Sequence, residues 1–280
     1  MPSSDLWLGP HRYDVTCRAL VVGILNRTVD SFYDRGAYFR LDDLLSHADR
    51  LVSDGADVLE VGARAAGVGT RDVSEDEELE LVASTLCELR RRFDVPLAVD
   101  TWRASVARAA FDEGAVLAND MSGFSDAGYL SAAAAVGASV VATHIRLAPR
   151  VADPNPHYDD VVTDVCEALL LLAKRAESAR IPPQRIIVDP GLDLGKTCQQ
   201  SLRLLAATCK FASLGYPMML AVSNKIFLGR LLGLRKQERQ HATLAACTTG
   251  VERGARLLRV HEVLPVRQAV DLLAAIYEAT

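Results

Sequence analysis

The chain has 280 residues, 50% hydrophobic against 24% charged, with a formal net charge of −5. This suits a large buried core and excludes disordered, collagen-like and coiled-coil chains. The acidic balance excludes a broad nucleic-acid-binding face, which needs clustered positive charge. No apolar run reaches the roughly 18–20 residues of a membrane span. The opening Met1-Pro2-Ser3-Ser4-Asp5 has neither the basic nor the apolar region of a secretory signal. A cytoplasmic protein acting on small molecules is therefore expected, without nucleic acid or membrane as partner. Six scattered cysteines form no C-x-x-C pair and no zinc-ligand spacing, so they read as reduced, space-filling side chains.

Short β-branched runs recur between longer helical patterns. In chain order the expected strands are 19–25, 58–61, 97–99, 116–118, 139–143, 186–188, 218–222 and 257–260. Each is nearly continuous in apolar residues, as parallel strands buried on both faces are. Amphipathic stretches at 41–53, 76–92, 104–113, 160–179 and 237–250 are long enough for crossover helices. Eight strand-then-helix units define a single (β/α)8 TIM barrel spanning 1–280. The segment 6–16, ahead of the first strand, is expected to cap the barrel floor. An open doubly wound sheet is the alternative, but the first strand runs into Gly23-Ile24-Leu25-Asn26-Arg27-Thr28 without the G-x-G-x-x-G turn that fold uses.

A barrel places its active site at the C-terminal strand ends. The polar residues that follow each apolar run are Asn26, Glu60, Asp100, Asn119 with Asp120, His144, Asp189, Ser223-Asn224-Lys225, and Arg259 with His261. Asp100, Asn119 and Asp189 converge from separate strands, and two carboxylates with an amide can bind the N–H-rich edge of an aminopyrimidinone-like ring. Lys225, Arg259 and His261, on the last two strands, supply the positive charge that barrel enzymes offer to phosphate. Arg259 and His261 are two apart and so face the same way. The segment 191–197 looks like a phosphate-binding P-loop, yet has three residues between its glycines where the motif needs four. Ser223 lies in no G-x-S-x-G elbow, which argues against a hydrolase triad.

In this order the segments resemble the dihydropteroate synthases. They are 23–34 (Gly-Ile-Leu-Asn-Arg-Thr-Val-Asp-Ser-Phe-Tyr-Asp), 55–62, 99–101, 119–123 (Asn-Asp-Met-Ser-Gly), 189–191 with 195–197, 223–225 with 227–229, and 254–263. The resemblance runs from about residue 20 to 275 and itself implies the eight-stranded barrel. It implies a transferase that condenses 6-hydroxymethyl-7,8-dihydropterin pyrophosphate with the arylamine 4-aminobenzoate, releasing pyrophosphate. By motif position Asp100, Asn119, Asp189 and Lys225 would hold the pterin, with Asp100, Asp189 and Lys225 as the catalytic set. Asn26, Arg259 and His261 would hold the pyrophosphate, and Asn26 would also be a ligand of Mg2+. A homodimer is implied in the same way.

The departures fall on two loops and the edge of a third. Family members typically read Gly-Gly-Glu-Ser-Thr-Arg-Pro-Gly after the second strand, where this chain has Gly62-Ala63-Arg64-Ala65-Ala66-Gly67-Val68-Gly69. Hydroxyls and a guanidinium are gone from a loop that in the family covers the pyrophosphate and helps build the aminobenzoate pocket. The family's Thr-Pro-Asp-Ser-Phe is Thr28-Val29-Asp30-Ser31-Phe32, and its Ser-Arg-Lys-Ser is Ser223-Asn224-Lys225-Ile226. Arg27, Arg35 and Arg64 are the basic residues near these loops that could replace the lost cation. The pattern leaves two alternatives to the synthase: a paralogue that binds a pterin or pyrophosphate ligand without turnover, and a pterin-dependent methyltransferase on the related barrel, for which the Arg259-Val260-His261 anion site has no use.

Overall fold

The computed structural model describes residues 5–28, 40–65, 67 and 69–279. In chain order its elements are β1 (Asp5–Leu8), β2 (His11–Asp14), β3 (Leu20–Asn26), α1 (Leu41–Ser53), β4 (Val58–Gly62), α2 (Glu75–Arg92), β5 (Leu97–Asp100), α3 (Ala104–Asp112), β6 (Ala115–Asp120), α4 (Tyr129–Val136), β7 (Ser139–Thr143), α5 (Val161–Ser178), β8 (Ile186–Asp189), α6 (Cys198–Ala206), α7 (Thr208–Ala212), β9 (Met219–Leu220), α8 (Ile226–Leu232), α9 (Gln240–Glu252), β10 (Leu257–Val260) and α10 (Val263–Glu278). Strands β3 to β10 form one eight-stranded parallel sheet in the order β8-β7-β6-β5-β4-β3-β10-β9. A parallel bridge between Val188 and Met218 joins the two ends, and the Val188 N–H donates to the Pro217 carbonyl at 2.9 Å. The sheet is thus a barrel, as expected.

Alternation along each strand divides the apolar residues between two layers. Leu25, Leu59, Val61, Val99, Ala118, Val140, Val188, Leu258 and Val260 face outward into the shell shared with the helices. Leu20, Val22, Val58, Ala98, Leu117, Val141, Ile187, Met219 and Leu257 face inward. Both faces are dry, which is why the strands carry no polar alternation. The helices follow the same economy: α1 buries Leu44, Ala48 and Leu51, one stripe at helical spacing, and opens with Asp42 and Asp43 where the helix dipole favours negative charge.

The inward layer is closed from below by the β1–β2 hairpin, which falls within the segment expected to cap the floor. Leu6, Leu8 and Val15 are fully buried among the inward strand residues. Ser139 Oγ donates to the Trp7 carbonyl, and Arg185 Nη2 to the Gly9 carbonyl at 2.8 Å, so the hairpin is tied to β7 and to the turn before β8.

Most boundaries shift by a residue or two from the sequence reading, and two of the differences have a local cause. β9 keeps only Met219–Leu220 of the expected 218–222, because its contact with β8 is a single bridge. The helix expected at 237–250 starts at Gln240: residues Lys236–Glu238 form a separate 3-10 turn, with Glu238 accepting from the backbone and guanidinium of Arg235.

Candidate active site

Towards the C-terminal strand ends the barrel interior changes from apolar to charged. Asn26, Gly62, Asp100 and Asn119 are partners in register across β3, β4, β5 and β6 and share the inward face. Above them opens a cavity of about 690 Å³. Asn26, Asp100, Lys225, Arg259 and His261 line it, so five of the seven expected site residues meet there. Asn119 and Asp189 are buried beneath its floor and are not part of its wall.

The floor is a network of buried ions. Arg259 donates through Nε to Glu60 and through Nη2 to Asp100 Oδ2 at 2.7 Å. Glu60, fully buried, also accepts from Asn119 Nδ2 at 3.0 Å. Glu60 was legible as a strand-end polar residue but was assigned no role. It is the hub that fixes both a guanidinium and an amide. Burial, strengthened by Glu60, pushes the Asp100 carboxyl up to about 7 against the opposing pull of Arg259. Its other oxygen, Oδ1, is buried without a partner. Burial likewise raises Asp189, although its Oδ1 accepts the Gly191 N–H at 2.7 Å. Burial lowers Lys225, whose nearest opposing charges are Asp193 and Asp189.

His261 departs from its expected part as a cation. Burial, with Arg259, Lys236, His47 and Lys225 on its several sides, holds its imidazole well below the usual histidine range. It is a neutral group at pH 7. The Ser223 hydroxyl lies 2.9 Å from its Nδ1 and accepts the His261 backbone N–H at 3.2 Å.

Two strand-end residues lie away from the cavity. Asp120 follows inward-facing Asn119 and so points outward, accepting the Ser122 N–H. His144 likewise follows inward Thr143, and its Nδ1 accepts from Lys196 Nζ at 2.9 Å. Lys196 also donates to the carbonyls of Gly191 and Leu194, both at 2.9 Å. Burial lowers Lys196 to about 7 and His144 to about 3. The wrap is tight: Gly191 has φ +64°, and a Cβ there would fall 1.9 Å from the His144 carbonyl oxygen. Thr197 then caps α6 in a reciprocal box with Gln200, at 3.1 and 2.8 Å. The P-loop look-alike is thus a helix cap with its lysine turned into the protein.

The loops above the cavity sort the three candidate cations. Arg27 turns away onto α2, where Nη1 donates to Ser84 Oγ at 2.7 Å, Thr85 Oγ1 at 3.0 Å and the Leu81 carbonyl at 3.2 Å. Arg64 lines the cavity, its guanidinium 4.5 Å over the Trp102 ring and 2.9 Å from Asp72. Arg35 lies outside the described residues, as do Ala66, Val68 and the altered stretch 29–34. A fourth arginine escaped the sequence reading. Arg150, at φ +66° on the loop between β7 and α5, lines the cavity and donates to the carbonyls of Ala65 (3.2 Å), Thr70 (2.6 Å) and Arg71 (3.0 Å). It clamps the β4–α2 loop from across the mouth.

The family model described as pterin binding enzyme matches residues 22–261, which puts this (β/α)8 barrel and its ion-lined cavity in the class of pterin-binding barrels. The chain belongs to the dihydropteroate synthase family. It is 36% identical over 259 residues to the dihydropteroate synthase of Bacillus subtilis, covering 92% of this chain and 88% of that one. It is 38% identical over 265 residues to the inactive dihydropteroate synthase 2 of Mycobacterium leprae, covering 92% and 91%. Among solved structures, the Yersinia pestis dihydropteroate synthase in complex with a sulfonamide drug superposes with a TM-score of 0.93 at 33% identity, over 99% of this chain and 100% of the other.

Proposed function

We propose that the chain is a dihydropteroate synthase-type transferase, joining 6-hydroxymethyl-7,8-dihydropterin pyrophosphate to 4-aminobenzoate and releasing pyrophosphate. The observation that carries this reading is the partnerless, buried Asp100 Oδ1, on a strand end in register with Asn119 and lining a cavity of about 690 Å³. An orphaned buried acceptor calls for a donor, and the N–H-rich edge of a pterin supplies one. Asp100, Asn119, Asp189 and Lys225 hold the ring in this reading. Asn26, Arg259 and His261 face the diphosphate, with His261 as a neutral hydrogen-bonding group.

In the reaction the bond from the pterin methylene to the diphosphate oxygen breaks, with its electron pair leaving on the diphosphate. The amine nitrogen bonds to the methylene and gives up a proton to solvent. The residues bind and align the two partners, and the wall cations offset charge as it develops on the leaving oxygen. Asn26 is the residue that would hold Mg2+, through its amide oxygen; among the described residues no three His, Cys, Asp or Glu side chains gather to hold a metal. When bound, it would neutralise charge on the leaving group. The single-barrel organisation over 1–280, the cytoplasmic setting and the homodimer belong to the same reading. Family membership supports the last two, and no helix of the described residues is long and apolar enough to cross a membrane.

One observation favours a second reading, ligand binding without turnover. Arg259 is held by both Glu60 and Asp100, so serving the diphosphate means leaving two buried carboxylates. The test is to mix the protein with dihydropterin pyrophosphate, Mg2+ and 4-aminobenzoate, and to follow pyrophosphate release and dihydropteroate formation. Both products at matching rates support the synthase. Binding with neither product refutes it and leaves the second reading.

A further inference from the structure

The cavity lacks the loop guanidinium and hydroxyls that family members carry, and Arg259 is already matched by two carboxylates. Among the described residues, the remaining cations on the wall are Lys225, Arg150 and Arg64. Lys225 lies deep, with Asp189 and Asp193 as its nearest opposing charges. Arg150 spends its donors on backbone carbonyls of the β4–α2 loop and also pairs with Asp72 at 3.8 Å. Arg64 differs from both. Its side chain is 12% exposed, its Nε is buried with no acceptor, and its ionic partner Asp72 is 76% exposed. A carboxylate so open to water makes a weak claim on the charge. Stacking on Trp102 fixes the guanidinium plane without neutralising it.

Position strengthens the point. Asn26 and Gly62 are paired across β3 and β4, and Thr28 and Arg64 each lie two residues further along. By strand alternation they return to the inward side one layer above Asn26. Thr28 lines the same cavity, and its Oγ1 is buried without a partner. A pterin bound on the floor projects its methylene diphosphate upward, into this layer.

Resting on the synthase reading of the site, we propose that Arg64, with the Thr28 hydroxyl beside it, is the group that receives the diphosphate in this chain. A cation that family members carry three residues later on the loop is supplied here from the strand end, on a rigid footing of Trp102. Asp72 parks the guanidinium in the free protein and releases it to the incoming phosphate oxygens.

The test is calorimetric titration of the full chain with Mg2+-pyrophosphate, and separately with 6-hydroxymethylpterin, which has no phosphate. Arg64→Gln should weaken pyrophosphate about tenfold or more, as loss of a charge-assisted contact does, and leave the free pterin within twofold. Arg64→Lys should recover part of the loss. Asp72 pairs with Arg150 as well, at 3.8 Å, so Asp72→Asn should tighten pyrophosphate a few-fold and the gain should vanish when Arg64→Gln is added. Unchanged pyrophosphate affinity in Arg64→Gln overturns the assignment. So does equal loss of pyrophosphate and pterin, which would mean Arg64 only shapes the loop, and so does Asp72→Asn behaving like Arg64→Gln. A rise confined to the KM for 4-aminobenzoate would overturn it in favour of the acceptor's carboxylate. Wild-type protein that binds no pyrophosphate also overturns it. If the wild type makes no dihydropteroate but binds pyrophosphate through Arg64, the synthase reading fails and this assignment stands.

Discussion

Replacing Glu60 by Gln changes one oxygen to an amide and removes one charge at a fully buried hub. Two donors meet this carboxylate: Arg259 Nε, and Asn119 Nδ2 at 3.0 Å. Gln offers one acceptor and one NH2 group, so one of those donors then faces another donor. Losing the charge assistance to Arg259 and orphaning a buried N–H together should cost about 3 kcal/mol. Asn119 can avoid the clash by turning its amide over, but it then presents an NH2 where its carbonyl had been and no longer matches the pterin. The loss must appear in one of two assays. Urea unfolding reads stability, as a lower midpoint at unchanged slope, and pterin titration reads the turned amide as a loss of about tenfold, one hydrogen bond's worth. A third readout follows from charge: Glu60 helps to push Asp100 up, so in Glu60→Gln the pH at which pterin binding is half lost should move downward. A variant within about 1 kcal/mol of wild type in stability, with unaltered pterin affinity, would refute the hub.

The remaining predictions concern the floor of the barrel and its titration. Leu8→Ala, emptying a fully buried position in the plug, should destabilise by about 3 kcal/mol or more in urea unfolding, while the KM for either substrate in the folded variant stays unchanged; a cost below about 1 kcal/mol would mean that the hairpin does not fill the barrel. In the proposed reading Asp100 binds pterin as a carboxylate, so affinity measured by titration should fall as pH drops through about 7, and Asp100→Asn should lose that dependence. Stability of the ligand-free protein moves the opposite way. A carboxyl raised in the fold holds its proton where the unfolded chain has lost it, so this contribution grows as pH falls from about 7 towards the ordinary aspartate range near 4. A stability curve for wild type and Asp100→Asn that shows no difference over that window would sink the assignment.

Most of the barrel was legible because its strands are short, apolar on both faces and separated by helical patterns; 41–53 and 139–143 fall on α1 and β7 to the residue. What went astray was local. β9 is shortened by having only one bridge on one side, a property of its neighbour's position and not of its own residues. In the site, the rule of taking the first polar residue after each apolar run ignored parity. It found Asn26, Asp100 and Arg259, which face inward, but treated Asp120 and His144 alike although they face out. The neutrality of His261 was hidden because it depends on burial and on charges contributed by other elements. Arg150 gave no signal, since its role rests on a left-handed backbone turn and on carbonyls about eighty residues earlier in the chain.

The clamp made by Arg150 grips main-chain oxygens. Every amino acid offers the same carbonyl, so these three hydrogen bonds do not depend on which side chains the β4–α2 loop carries, although Asp72 adds an ion pair at 3.8 Å. Shape and chemistry are therefore separable there: a hydroxyl can give way to Ala65 and a guanidinium to Gly67 while the loop keeps its place over the cavity. A lineage built this way can try new side chains above the site, and lose or exchange its second substrate, without refolding the roof.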